Sequence, residues 1–287
     1  MLRDLTIGQY YETKSKIHRL DPRVKIFSMI LFMVMIFLKF DSIAMNFTIY
    51  GILFLFVYLI MTVAHIKLSS LFSQMKALWF MMIFLFLINI FMPGMNATGG
   101  YFTIFNGYKI YYNSIFNTLY IVVRLIIMLG LTLILTSSTK PLELTSGLEW
   151  YMTPLKVIHF PVHEIAMTIS LALRFIPTLL EETDRIMKAQ SSRGVDFQNG
   201  KFKEKISAII SLIVPLFISA FQRSDELANA MEARGYDPSS KRTRYRVNKW
   251  KWSDTFALIY SCLFMAILIF LKANHIDLIE VVKSICV

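Results

Sequence analysis

Two stretches decide how this chain is read: Asp184-Arg-Ile-Met-Lys-Ala189-Gln-Ser-Ser192-Arg193-Gly194-Val-Asp196 and Asp225-Glu-Leu-Ala-Asn-Ala230-Met-Glu-Ala233-Arg234-Gly235-Tyr-Asp237. Asp, Ala, Arg, Gly and Asp match at one constant offset of 41 residues, and a small residue precedes each Arg. Gly after a helical run is a helix stop, because it adopts the left-handed conformation at little cost. The Arg before it lies at the negative end of the helix dipole, and the small residue beside it leaves room for another surface to approach. Each stretch therefore predicts a helix with a cationic tip. One Arg-Gly end by itself means only capping. Two copies with the same flanking Asp184 and Asp225, and the same Ala, point to a shared task.

Upstream of each tip runs an apolar stretch, Ile165–Leu180 in one and Ile206–Phe221 in the other. Both continue into their charged ends without a break signal. In the first, Ile165, Ile169, Ala172, Ile176, Leu179 and Met187 recur at helical spacing; in the second, Ile206, Ile209, Ile213, Leu216, Ala220, Leu227 and Met231 do so. This is the stripe of an amphipathic helix. Pro177 and Pro215 are expected to kink these helices. A shorter amphipathic stretch, about Leu142–Ile158, precedes them. If both long stretches crossed a bilayer, their matched tips would lie on opposite sides. Both are therefore expected at or under the inner face.

The rest of the chain is more apolar still. Residues of hydrophobic type make up 56% of the whole sequence, with 24 Phe and 17 Met, more than one soluble core can hide. Five segments read as membrane spans: Val24–Phe40, Ile43–Ala64, Ala77–Met92, Ser114–Thr136 and Thr255–Leu271. None contains Asp or Glu, and Arg124 is the only deeply placed charge. Between them, the flanking segments alternate in basic content, with 25 Lys and Arg on one side and 4 on the other. The basic side is the expected cytoplasmic side. The N-terminus and the long segment between the fourth and fifth spans fall inside, and the C-terminus outside. An Asn106-Gly107 pair between alternating apolar residues predicts a small outer β-hairpin. The expected fold is an all-α integral membrane protein, with about five transmembrane helices plus long cytoplasmic amphipathic coupling helices. Its regions are residues 1–136 (four spans), 137–252 (coupling helices) and 253–287 (last span and external tail).

The sequence resembles the transmembrane T component of energy-coupling factor transporters. Three blocks carry the resemblance: Ile17-His18-Arg19-Leu20-Asp21-Pro22-Arg23-Val24-Lys25; Arg174-Phe175-Ile176-Pro177 with Ala189-Gln190 and Arg193-Gly194; and Glu232-Ala233-Arg234-Gly235-Tyr236. The family's signature is two Ala-Arg-Gly motifs at the ends of coupling helices. The second is intact here at Ala233, Arg234 and Gly235, whereas the first has Ser192 in place of Ala before Arg193 and Gly194. The resemblance implies a bacterial inner-membrane protein whose tips each insert into one ATPase subunit, often of a non-identical pair. It also implies a substrate-binding S component packed on the long helices and carrying a vitamin or metal ion. ATP would be held by the ATPases, with no cofactor on this chain and no nucleic-acid partner.

Other motifs carry less. Gly194-Val-Asp-Phe-Gln-Asn-Gly200-Lys201-Phe202 has one residue too many for a phosphate loop, and Phe202 stands where Ser or Thr would hold magnesium. His159 and His163 flank Pro161 and lack the zinc-protease order, so they read as interfacial rather than ligating. Asp21-Pro22-Arg23 reads as a helix start. Cys262 and Cys286 offer no metal-ligand spacing. An ion-coupled secondary transporter would need mid-membrane carboxylates, which the spans lack. A lipid-binding scaffold would explain the charge but not the repeat.

Overall fold

In the computed structural model, which describes residues 13, 15–38, 40, 42–91, 101–104, 108–197, 201–237 and 250–274, the Asp21-Pro22 start works as the residue types require. Helix α1 spans Pro22–Phe37, with Asp21 as its cap: the Arg23 amide donates to Asp21 Oδ1 at 2.9 Å. Pro at the first turn loses no bond that a helix would have made. There follow α2 (Ile43–Val63), α3 (Leu68–Phe91), strands β1 (Tyr101–Ile104) and β2 (Tyr108–Tyr111), and α4 (Tyr112–Ser138). Next come α5 (Pro141–Met152), a 3-10 turn at Thr153–Ile158, α6 (Val162–Ser192), α7 (Phe202–Ala233) and α8 (Trp252–Ala273). The all-α membrane fold is as expected, with β1 and β2 paired antiparallel as the one hairpin among the described residues. Its Asn106-Gly107 turn lies outside the described residues.

The chain forms two units, one of residues 8–144 and 248–287, the other of residues 145–247 with the first seven. In the first, α4 packs against α1, α2 and α3, and α1 also packs on α8. Its core is a column of buried apolar side chains that includes Met35 and Ile36 of α1, Leu53 of α2, Ile127 of α4 and Leu268 of α8. Gly130 lets α4 approach α2 closely, as small residues do between membrane helices: a Cβ there would lie 2.7 Å from Val57 Cγ1.

Helix α1 has 16 residues and rises only about 24 Å, less than the roughly 30 Å of hydrocarbon a span must cross. It ends at Phe37, and the chain turns at once into α2. Buried backbone that leaves a helix must find other partners, and buried Asn46 supplies them. Its Nδ2 donates to the carbonyls of Phe40 (2.7 Å) and Ser42 (2.9 Å), and its Oδ1 accepts from the Phe40 amide (2.9 Å). The C-terminal carbonyl of Ile36 accepts from the Tyr50 hydroxyl. Tyr50 and Tyr120 hydroxyls are 2.8 Å apart, and Arg124 Nη2 donates to Tyr120 at 2.7 Å and Tyr50 at 3.4 Å. The guanidinium also lies over the rings of Tyr120 (4.6 Å) and Phe37 (5.0 Å). Arg124 thus sits beside the negative end of α1.

At the opposite end of α1, Asp254 joins α8 to the first helix. Its Oδ1 accepts from the Asp21 amide at 2.9 Å, and its Oδ2 from the Lys251 amide at 2.8 Å. Lys25 Nζ donates to the Ser138 carbonyl (2.8 Å), Thr139 Oγ1 (3.2 Å) and the His18 carbonyl (3.3 Å), tying α1 to the end of α4.

Among the described residues six helices are long and apolar enough to cross a membrane: α2, α3, α4, α6, α7 and α8. By length and composition, then, α6 and α7 qualify alongside the segments read as spans. What separates them is where the charges fall. Helix α6 carries Glu164 and Arg174 before the charged run from Glu181 to Lys188, and α7 carries charges at both ends, whereas α2 has no charged residue. The second unit buries little of itself: along α6 and α7 only Val162, Ala166 and Ala208 are buried. Large apolar side chains on α7, Phe217 and Phe221 among them, stay exposed. Such faces need lipid or protein against them.

Candidate functional site

The two repeated stretches end α6 and α7 in the same geometry. Arg193 caps α6 at φ −88°, ψ 5°, and Arg234 caps α7 at φ −89°, ψ 6°. Each is followed by a glycine in the left-handed region, Gly194 at φ 90° and Gly235 at φ 71°. The hydrogen bonds also match. Gly194 N donates to Ser191 O (3.0 Å) and Val195 N to Gln190 O (3.1 Å); Gly235 N donates to Glu232 O (2.8 Å) and Tyr236 N to Met231 O (3.0 Å). This double closure satisfies carbonyls that a helix end otherwise leaves open.

The closure alone is not distinctive. It also ends α2, where His65 takes φ 56°, and the 3-10 turn, where His159 takes φ 57°. The difference lies in what the ends present. Ser192, Arg193 and Gly194 are exposed, as are Ala233, Arg234 and Gly235. No ion pair engages either tip arginine among the described residues. Ser192, the departure from Ala, turns its hydroxyl back onto the Lys188 carbonyl at 3.0 Å. The outward profile of that helix end therefore stays small and apolar.

The flanking acids are less alike. Asp184 holds Lys188 at 2.6 Å across one helical turn. Asp225 has Asn229 in that place and is exposed, so the shared Asp does not have one shared local role. Both prolines lie inside continuous helices, Pro177 exposed and Pro215 half-buried. Each removes one helical hydrogen bond, to the carbonyl four residues earlier.

Helices α6 and α7 pack on each other. At that contact Arg223 lies over the Phe175 ring at 6.0 Å, with its Nη1 buried and without a hydrogen-bond partner in the structure. Sequence reasoning passed over this residue. The signal was present: the apolar stripe of α7 skips from Ala220 to Leu227, and Arg223 occupies the missing turn.

The backbones of the two tips are held apart. Helix α7 has 32 residues and is about 48 Å long. The connection from Arg193 to Phe202 can reach back at most about 30 Å even if fully extended. Arg193 and Arg234 are therefore at least about 15 Å apart.

Other candidates resolve differently. His163 Nδ1 is 3.5 Å from Glu149 Oε1, and His159 closes the 3-10 turn. Among the described residues no group of His, Cys, Asp and Glu could hold a metal ion. The Gly194 that opened the loop-like stretch is used to close α6, while residues 198–200, and Cys286, lie outside the described residues.

Residues 13–245 match the family model described as CbiQ, cobalt transport protein. The chain belongs to this family. It is 40% identical over 273 residues to the energy-coupling factor transporter transmembrane protein EcfT of Bacillus subtilis (strain 168), covering 95% of this chain and all of that one. Similarity to the EcfT proteins of Staphylococcus aureus (strain 04-02981; 41% over 277 residues) and Macrococcus caseolyticus (strain JCSC5402; 38% over 272) is as extensive, covering 96% and 95% of this chain and all of each relative. The chain is thus a transmembrane component of an energy-coupling factor transporter, a multi-pass membrane protein that works within a larger complex. The matched helix ends fall inside the segment that the family model covers.

Proposed function

We propose that this chain is the non-catalytic coupling subunit of an ATP-driven importer, and that its two Arg-Gly helix ends are the contacts to two ATPase subunits. The observation that carries this reading is the pair of exposed arginines held by the same backbone closure on the ends of two different helices. One pocket per tip means two docking partners, and non-identical flanks (Ser192 against Ala233, paired Asp184 against unpaired Asp225) suit a non-identical pair. ATP binding closes the ATPases and draws the tips together. Helices α6 and α7, packed through Phe175 and Arg223 and softened at Pro177 and Pro215, carry that motion to the membrane. There a substrate-binding S component reorients and releases a vitamin or a metal ion, as the cobalt-transport description of the family suggests. The N-terminus and both tips face the cytoplasm of a bacterial cell, in agreement with the distribution of basic residues.

The test is co-purification and uptake. A guanidinium docked in an acidic or carbonyl-lined groove contributes hydrogen bonds in a fixed fork, and breaking such a desolvated contact costs about 2–5 kcal/mol. Arg193→Ala is expected to weaken one ATPase contact and Arg234→Ala the other, with the double variant inserted in the membrane but neither assembled nor active. If the arginines only cap helices, the loss is about 0.3–1 kcal/mol. A double variant that co-purifies normally and drives uptake at the normal rate would then refute the proposal.

A further inference from the structure

The first unit holds a cavity of about 200 Å³ between α1, α2, α4 and α8. Its lining is almost wholly apolar, but its two ends differ. Toward the middle of the helices it is walled by the rings of Phe32, Phe56 and Tyr260, with Phe56 stacked on Tyr260 at 5.5 Å and tilted against Phe32 at 4.9 Å. There α2 meets α8 through these rings, and Tyr260 is half exposed. Toward the start of α1 the lining becomes polar, with Lys25, Ser28 and Ser138.

Lys25 is an uncommon residue to find at such a place. It is more than nine-tenths buried. Its ammonium donates only to two carbonyls and a hydroxyl, and no carboxylate lies within ion-pair distance among the described residues. Asp21, Asp254 and Glu143 act on it only from farther away. Buried charges are ordinarily paired. Above it, the segment leading into α1 places Ile17 and Leu20 in the cavity wall, while Lys16, just before Ile17, and Arg19, just before Leu20, are exposed. The cavity therefore has an apolar interior, a buried cation at its polar end, and two free cations over that end.

We propose that this cavity takes an acyl chain of an anionic phospholipid from the surrounding leaflet, with the head group held over Lys25 by Lys16 and Arg19. An apolar cavity that opens within a bilayer has lipid tails as its nearest occupant. The lysine, with no carboxylate in direct contact among the described residues, and the exposed bases select an anionic head group over a zwitterionic one. On the topology proposed above this is the inner leaflet, but the site itself does not depend on how the helix tips are used.

The experiment uses the full chain in nanodiscs of phosphatidylcholine. They are doped at equal mole fraction with phosphatidylglycerol or phosphatidylcholine carrying a diazirine in its tail, and adducts are mapped by peptide mass spectrometry. Phosphatidylglycerol is expected to label the α1 and α4 peptides that line the cavity at least about fivefold more than phosphatidylcholine, with about fivefold lost for each exposed cation removed. Exposed Phe80 and Phe84 of α3 are expected to label alike with both lipids. Ser28→Leu, which fills the cavity, is expected to abolish only the cavity adducts. Should that variant misfold, Lys16→Ala with Arg19→Ala, both at exposed positions, reads the same property: phosphatidylglycerol labelling falls to the phosphatidylcholine level. Cavity peptides labelled no more than background by either lipid, or labelled equally by both, overturn the proposal.

Discussion

Arg124 and Tyr50 together close the short end of α1: the Tyr50 hydroxyl donates to the Ile36 carbonyl, and the Arg124 guanidinium donates to that hydroxyl from the far side. A helix end leaves carbonyls without an intrahelical partner. Here a tyrosine satisfies one of them, and a cation reinforces the contact. Tyr50→Phe keeps the ring and removes the bond, and is expected to cost about 1–3 kcal/mol, the range for an orphaned buried acceptor. Arg124→Lys is expected to fall short of wild type, because an ammonium cannot reach both hydroxyls while stacking on Phe37 and Tyr120. Thermal unfolding in detergent measures both. A Tyr50→Phe protein as stable as the parent would show that the contact is incidental.

How much of this was legible in the sequence varies by element. The apolar runs locate α2, α4 and α8 to within a few residues, because continuous apolarity is what a bilayer demands. The start of α3 is nine residues earlier than expected, at Leu68 rather than Ala77. Ser69, Ser70, Ser73, Gln74 and Lys76 break the apolar run there, although all are tolerated by a helix. Conversely α1 ends at Phe37 rather than Phe40, since the turn depends on bonds from Asn46, a tertiary effect. The expected amphipathic stretch 142–158 divides at Met152 because Pro154 has no amide to donate. The cationic tips were visible as a repeat, but the inward hydroxyl of Ser192 and the place of Lys25 were not, because each is decided by partners.

The α2–α4 contact offers a paired test. Gly130→Ala puts a methyl group 2.7 Å from Val57 Cγ1, on a buried, β-branched side chain with one preferred rotamer. Overpacking of this kind costs about 1–3 kcal/mol. Gly51→Ala, on the open face of α2 with nothing within 4 Å, is expected to be neutral or to stabilise by about 0.5–1 kcal/mol. Unfolding midpoints of the two variants should move in opposite directions, or Gly130 alone should move.

Topology has a direct test. Single cysteines at Asn106 and Asn199, both outside the described residues, are placed in a chain lacking Cys262 and Cys286. An impermeant thiol reagent applied to intact cells is expected to label the first and spare the second. Labelling at position 199 from outside would make α6 a crossing helix, which its length and composition permit, and would remove the basis for placing both tips in the cytoplasm.

The glycines at the tips separate backbone geometry from charge. Gly194 and Gly235 hold φ values of 90° and 71°, in the left-handed region, with nothing within 4 Å of where a Cβ would stand. Only conformation, and not crowding, penalises a side chain there. An L-residue at such a position costs roughly 1–2 kcal/mol, and Asn less than most. Gly235→Ala is therefore expected to fray the last turn of α7 and re-aim Arg234, while Gly235→Asn keeps the closure. If the arginines work as aimed contacts, ATPase co-purification falls with Gly235→Ala and recovers with Gly235→Asn, though every charge is retained throughout. If only the positive charge matters, both variants assemble like the parent. The same pair at Gly194 tests the other tip, and on the proposal that the tips are separate contacts, each Ala variant is expected to loosen one ATPase and leave the other bound.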